Sequence, residues 1–244
     1  MFKPMMTTTQ ESGSSTSIYL LAAHPRWRES RVNRRLLAAA RTVAQVEVND
    51  LYSSYPDYHI DIDAEQARVG RADLLVLLHP IQWYAMPALQ KLWFDEVLTY
   101  GWAYGTDAGA LRGKDLWLVA TTGGPEASYQ PGGYNRYSFD AFLPPYVQTA
   151  ALCGMRFLPP LLLHGARTAP EAEVAMHEQH FAERLSTYPA WRERDALPAC
   201  AAGAVPDTDR PGDDHDNASR RAASAPTPSR TPAGAAPHSS TQAR

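Results

Sequence analysis

The chain has only two cysteines among its 244 residues, Cys153 and Cys200, and they lie far apart. Such a pair makes neither a disulfide framework nor a metal-ligand motif, and it fits a reducing cytoplasm. No apolar run reaches the roughly 18 residues that a membrane span requires. The first 16 residues, MFKPMMTTTQESGSST, lack the apolar centre of a secretory signal. Basic charge is not in excess: the formal net charge is −3, which gives no sign of a nucleic-acid or anionic-membrane footprint. Walker-type GxxxxGK[ST] and GxGxxG loops are missing. So are paired carboxylates, a nucleophile–base pair and a metal-ligand cluster, and nothing argues for hydrolysis. His59, Asp61 and Asp63 stand close together, but in a loop where solvated or capping roles are expected.

Apolar residues are also scarce at the C-terminal end. After Leu197, Val205 is the sole representative of Val, Ile, Leu, Met, Phe, Tyr and Trp across 47 residues, and seven prolines appear. Such a composition cannot bury enough surface to offset the entropy of ordering. The expected organisation is a disordered lead at 1–16, one folded domain at 17–190 and a disordered Pro/Ala/Ser-rich tail at 191–244.

Inside the domain, apolar runs alternate with helical periodicity. Strands are expected at Ser17–Ala23, Val46–Leu51, Asp73–Leu78, Leu116–Ala120 and Arg156–Leu163. Helices are expected at 31–43 with Ser30 as N-cap, at Ala64–Arg71, after Pro87, within Phe139–Cys153 and at Glu171–Thr187. Pro144-Pro145 either kink the fourth helix or mark its start. Alternation of this kind implies an α/β fold, an open parallel five-stranded sheet with helices on both faces. The flavodoxin-like order 2-1-3-4-5 suits it, with a ligand crevice beyond the carboxyl ends of strands 1, 3 and 4.

Three strand-end segments meet at that crevice. His24-Pro25 through Ser30 and Asn33 leads into a helix N-terminus, a phosphate cradle in form, though an ordinary N-capped helix explains it alone. The chain then turns sharply through Pro80, and Gln82-Trp83-Tyr84-Ala85 can lay backbone donors and an aromatic along a flat ring, or can simply cover the core. Thr121-Thr122-Gly123-Gly124 permits close backbone approach, or is a turn. Their coincidence at one edge favours a planar, phosphate-bearing cofactor.

HPxxxxSxxN, then HPIQWYAMPALQKLWFDEVLTYGWAYG, then TTGG resembles the flavodoxin-like NAD(P)H:quinone oxidoreductases, and most of all the ancillary oxidoreductases of bacterial glutathione-regulated potassium-efflux systems. The resemblance covers about residues 17–190. It implies a homodimeric two-electron reductase that uses FMN rather than FAD and takes NADH or NADPH as co-substrate. His24, Ser30, Arg31, Val32 and Asn33 would hold the flavin phosphate and ribityl end. Gln82, Trp83, Tyr84 and Ala85 would line the isoalloxazine, and Thr122, Gly123, Gly124 and Pro125 its pyrimidine edge. Trp102 and Tyr104 match an aromatic wall closed by a partner subunit.

The larger members carry a Tyr–His relay after TTGG. Tyr129 stands at the Tyr position, while Tyr134 or Asn135 stands where the His belongs. The proton therefore comes from Tyr129, water or the substrate. The implied acceptor is a quinone, or an azo- or nitro-compound. The implied partner is a potassium-efflux transporter, which would hold a cytoplasmic protein at the inner face of the membrane. A regulatory flavoprotein with little turnover is the alternative.

Overall fold

In the computed structural model, residues 16–106 and 108–192 are described. Apart from residues 16, 191 and 192, the expected lead and tail lie outside them.

Five strands form one parallel sheet: β1 (Ile18–Ala22), β2 (Val46–Asp50), β3 (Leu74–Pro80), β4 (Asp115–Thr121) and β5 (Arg156–Leu163). Their order is β2-β1-β3-β4-β5, as the flavodoxin-like fold requires. The central strand shows why. Leu74 to His79 are all buried, as a parallel strand covered on both faces must be. Leu75 and Leu77 join one core with Val69, Trp93 and Tyr146, whereas Leu74, Val76 and Leu78 join the other with Leu36 and Phe181. Period-two alternation thus feeds two cores from one strand.

The helices are α1 (Asn33–Ala40), α2 (Leu51–Ser54), α3 (Ile62–Arg71), α4 (Ala88–Val97), α5 (Pro144–Leu152) and α6 (Glu171–Thr187). The Pro144-Pro145 pair marks the start of α5 rather than a kink. Proline at the first helical positions forgoes only an N–H that has no intrahelical partner. Asp61 accepts from the Ala64 amide at 3.0 Å, which settles its part of the acidic loop as a helix cap. The loop expected around His59, Asp61 and Asp63 ends before Asp63, because α3 begins at Ile62. Trp191 packs on Trp117 with ring centroids 5.2 Å apart.

Two expectations change at the site itself. Ser30 is not an N-cap, because Val32 occupies that position. A short turn at Trp27–Glu29 takes up the Ser30 amide on the Trp27 carbonyl, and the Trp27 indole N–H is pinned on Asp50 Oδ1 at 2.8 Å. The chain therefore enters α1 late. Nor does the chain turn at Pro80, which still pairs with Thr121 in register. The reversal comes at Gln82–Ala85.

No helix among the described residues is long and apolar enough to cross a membrane.

Candidate functional site

A cleft of about 480 Å³ opens at the carboxyl edge of β1, β3 and β4. His24, Ser30, Arg31, Val32, Asn33, Gln82, Thr122 and Gly123 all line it, so eight of the residues singled out from sequence converge there. The amides of Arg31, Val32, Asn33 and Arg34 make no backbone hydrogen bond. They are the free donors of a helix start, at the positive end of its dipole. Two buried side-chain oxygens in the same wall, Ser30 Oγ and Asn33 Oδ1, have no partner either. Buried polar atoms are seldom left so. Asn33 Nδ2 donates to Thr121 Oγ1 at 2.8 Å. Exchanging the amide's N and O keeps that bond, with the hydroxyl now donating, and presents the NH₂ to the cleft. Four amides, a hydroxyl and a carboxamide make a donor set suited to a phosphate.

Charge in the cleft is distributed differently from the expectation. Arg31 donates to the Ala169 carbonyl at 2.6 Å and to Glu171 at 2.9 Å, so its guanidinium is already engaged. His24 is held below the usual histidine pKa by burial and then by nearby Arg26, and accepts from the Arg26 amide at 3.1 Å. It lines the cleft as a neutral ring. Arg167, between β5 and α6, lines the same cleft and has no ion pair with any described residue. It follows β5, outside the three segments, and the signal for it in the sequence is the break from apolar residues at His164–Thr168, at the same sheet edge.

Beside the cleft, the chain reverses at Gln82–Ala85. The Gln82 amide donates to the Ala85 carbonyl at 2.9 Å and the Ala85 amide to the Gln82 carbonyl at 3.1 Å. Trp83 and Tyr84 both have positive φ, +47° and +66°. Two left-handed residues between such bonds define a type I′ turn, which ordinarily takes Asn-Gly. Bulky side chains there cost of order 1–3 kcal/mol each. The turn leaves the Trp83 and Tyr84 amides without backbone partners and the Trp83 side chain 93% exposed. An aromatic side chain held outward on strained backbone, with free amides at its base, has the shape a flat ligand could stack on. The turn engages the Gln82 amide and leaves Ala85 lining neither this cleft nor the next.

A second hollow of about 240 Å³ adjoins, lined by Trp83, Tyr84, Gly124, Tyr129 and Tyr134 among others. Tyr84 stacks on Phe142 with centroids 5.2 Å apart. Tyr129 is buried and its pKa is raised, chiefly by burial. Tyr134 is 90% exposed at the rim. The two tyrosines singled out as proton donors therefore have unlike settings. The Thr122 amide is spent on the Leu163 carbonyl at 3.0 Å, whereas those of Gly123 and Gly124 have no backbone partner. Pro125 lies in a third hollow, and Trp102 and Tyr104 line none of the three.

The model of a family described as the flavodoxin-like fold matches residues 16–185. A potassium-efflux relative, the glutathione-regulated potassium-efflux system ancillary protein KefF of Citrobacter koseri, is 42% identical over 176 residues, which are 72% of this chain and 97% of that protein. The chain belongs to the flavodoxin-like family. Among solved flavodoxin-like structures, one described as a thermophilic tryptophan halogenase from Streptomycin violaceusniger is 39% identical, with a TM-score of 0.66 over 68% of this chain and 96% of that one. General stress protein 14 of Treponema denticola, in complex with FMN, is 35% identical, with a TM-score of 0.64 over 73% and 98%. These names span potassium efflux, halogenation and stress. A shared flavodoxin-like fold does not choose among them, and the reaction has to be argued from the site.

Proposed function

We propose that the protein is an FMN-dependent NAD(P)H:quinone oxidoreductase, working by two-electron, ping-pong transfer in a homodimer. The observation that carries this reading is the pairing of an unsatisfied donor set with a strained aromatic platform. Ser30, Asn33 and the free amides of 31–34 would hold the phosphate, with Arg167 nearby. Trp83, Tyr84 and the free amides of Gly123 and Gly124 would border the ring, and donors at its pyrimidine edge favour negative charge there. Bound FMN would supply the hydride-accepting and hydride-donating chemistry, leaving to the protein binding, orientation and exclusion of water. The hollow lined by Trp83, Tyr84 and Tyr129 would admit nicotinamide and acceptor in turn, hence ping-pong kinetics. Trp102 and Tyr104 would close it from a partner subunit.

Purified protein should be yellow and should release FMN on denaturation. It should oxidise NAD(P)H when a quinone is added. Protein that is colourless and cannot be reconstituted would remove the cofactor from the account.

The 42% likeness to KefF favours a second role, docking on a potassium-efflux transporter at the cytoplasmic face of the membrane. Protein that holds FMN and raises transporter flux, yet shows no quinone-dependent turnover, would make that role the principal one. A preference for azo- or nitro-compounds over quinones in kcat/KM would reassign the acceptor.

A further inference from the structure

After β5 ends at Leu163, the chain turns at 165–168 before α6 begins at Glu171. The Thr168 and Ala169 amides both donate to the Gly165 carbonyl at 2.9 Å. The start of this turn is tied to the loop after β4. There the Gly165 amide donates to the Gly124 carbonyl at 2.8 Å and the Ala166 amide to the Thr122 carbonyl at 2.9 Å. Its far end is held by α1. The Arg31 guanidinium donates to the Ala169 carbonyl at 2.6 Å and to Glu171 at 2.9 Å. Between these ties, Ala166 and Arg167 line the large cleft. The Arg167 amide has no backbone partner, and its guanidinium has no ion pair or hydrogen bond with any described residue.

Charge in the cleft makes Arg167 distinct. The charged or titratable residues that line it are His24, Arg26, Glu29, Arg31 and Arg167. Arg26 pairs with Glu29 at 3.4 Å, Arg31 is taken by Glu171, and His24 is kept neutral by burial. The strand ends opposite contribute Pro80, Ile81, Gln82, Thr121, Thr122 and Gly123, none of which titrates. The donors at the start of α1 are therefore uncharged groups helped by a partial dipole. A phosphate monoester carries close to two negative charges at pH 7, with a second pKa of about 6. Neutral donors bind its oxygens and leave most of that charge standing. Arg167 is the lining cation still uncommitted, and its planar fork suits two phosphate oxygens at once.

We propose that Arg167 is the counter-charge of the flavin phosphate, held in place by the Arg31 side chain. The proposal rests on the flavin reading above. It moves the charge contact from α1 to the turn after β5. Arg31 still offers its amide, but its guanidinium is a positioning group that acts through Arg167. With the arginine in place the cleft selects the phosphate dianion over the monoanion.

The test uses flavin-free protein titrated with FMN and with riboflavin at pH 7. Arg167→Gln should lower the FMN-to-riboflavin affinity ratio by roughly tenfold or more, the size of a hydrogen-bonded charge contact. Arg167→Lys should retain part of the ratio. Arg31→Gln should lower it by less than Arg167→Gln does. The double Arg31→Gln, Arg167→Gln variant should lose no more than Arg167→Gln alone, because one residue acts through the other. The ³¹P signal of FMN bound to wild type should keep its dianion position down to about pH 5, whereas in Arg167→Gln it should titrate closer to about pH 6. An unchanged ratio and an unmoved ³¹P titration in Arg167→Gln would overturn the counter-charge. A double variant that loses the product of the two single losses would overturn the positioning role of Arg31. Wild-type protein that binds neither flavin would instead sink the flavin reading, and this proposal with it.

Discussion

Two buried polar corners of the molecule are satisfied to opposite degrees. Under the sheet, the fully buried Glu65 accepts hydrogen bonds from Tyr19 (2.6 Å), Asn49 (2.9 Å), Tyr55 (2.7 Å), Trp93 (2.7 Å) and Arg68 (2.6 Å). Four of these bonds tie other parts of the chain to α3, and the fifth, from Arg68, lies within it. At the carboxyl edge, Ser30 and Asn33 are also buried, yet each keeps an oxygen with no partner, beside four amides without a backbone partner. A saturated carboxylate marks scaffold, because removing it takes the shared acceptor from five donors. In the proposed reading the unsaturated set at the carboxyl edge, where side-chain oxygens and free amides gather in one cleft, takes its partner from outside the chain. In that reading the contrast separates residues that hold the fold from residues that would hold a ligand.

The largest expected effect lies in the saturated corner. Glu65→Ala should destabilise the protein by about 3–5 kcal/mol in urea unfolding, since Tyr19, Tyr55, Trp93 and the Arg68 guanidinium all lose their shared acceptor. FMN affinity of the folded fraction should stay within a few-fold. A loss of flavin affinity without loss of stability would dissolve the distinction.

The next effect concerns another satisfied group, His79. It is fully buried, with Nδ1 3.0 Å from the Pro80 carbonyl and Nε2 3.3 Å from the Tyr146 hydroxyl, and both bonds suit the neutral ring. Burial pulls its pKa down to about 4. Native protein refuses a proton that the unfolded chain accepts from about pH 6.5 downward, so stability is present above that pH and is lost as it falls toward 4. One such group contributes about 3 kcal/mol over that window. His177, also pulled to about 4 by burial, adds to the slope. Urea midpoints at pH 7 and pH 4.5 measure the loss, and His79→Gln should flatten it.

The smallest effect has the opposite sign. Trp83→Gly should raise the stability of flavin-free protein by about 1 kcal/mol, because glycine takes positive φ without strain. The same change should weaken flavin binding. A destabilised Trp83→Gly protein would return the turn to the scaffold.

Legibility from sequence followed the same division. The sheet order was readable because Asp73–Leu78 and Leu116–Ala120 are unbroken apolar runs, and α6 because its apolar spacing starts just after Pro170. Convergence of the three loops was readable from topology, which puts strand ends at one edge. Side-chain commitments were not. Nothing local to Ser30 says that Trp27 will be pinned on Asp50 and delay the helix. A Trp-Tyr pair carries no I′ signal, since that turn selects Asn and Gly. Arg167 and His164 follow β5, whose end shares the edge but carries no motif to set beside the other three. Glu65 looked like any acidic residue on a short helix.

The central claim is that the unpartnered donors at Ser30, Asn33 and 31–34 await a phosphate. The direct measurement is the affinity of flavin-free protein for FMN and for riboflavin, which differ by that group alone, in wild type and in Ser30→Ala. The account predicts FMN bound roughly 100-fold more tightly than riboflavin, from hydrogen bonds to a charged group. It also predicts that Ser30→Ala narrows the gap without lowering stability. Equal affinity for the two flavins would contradict it.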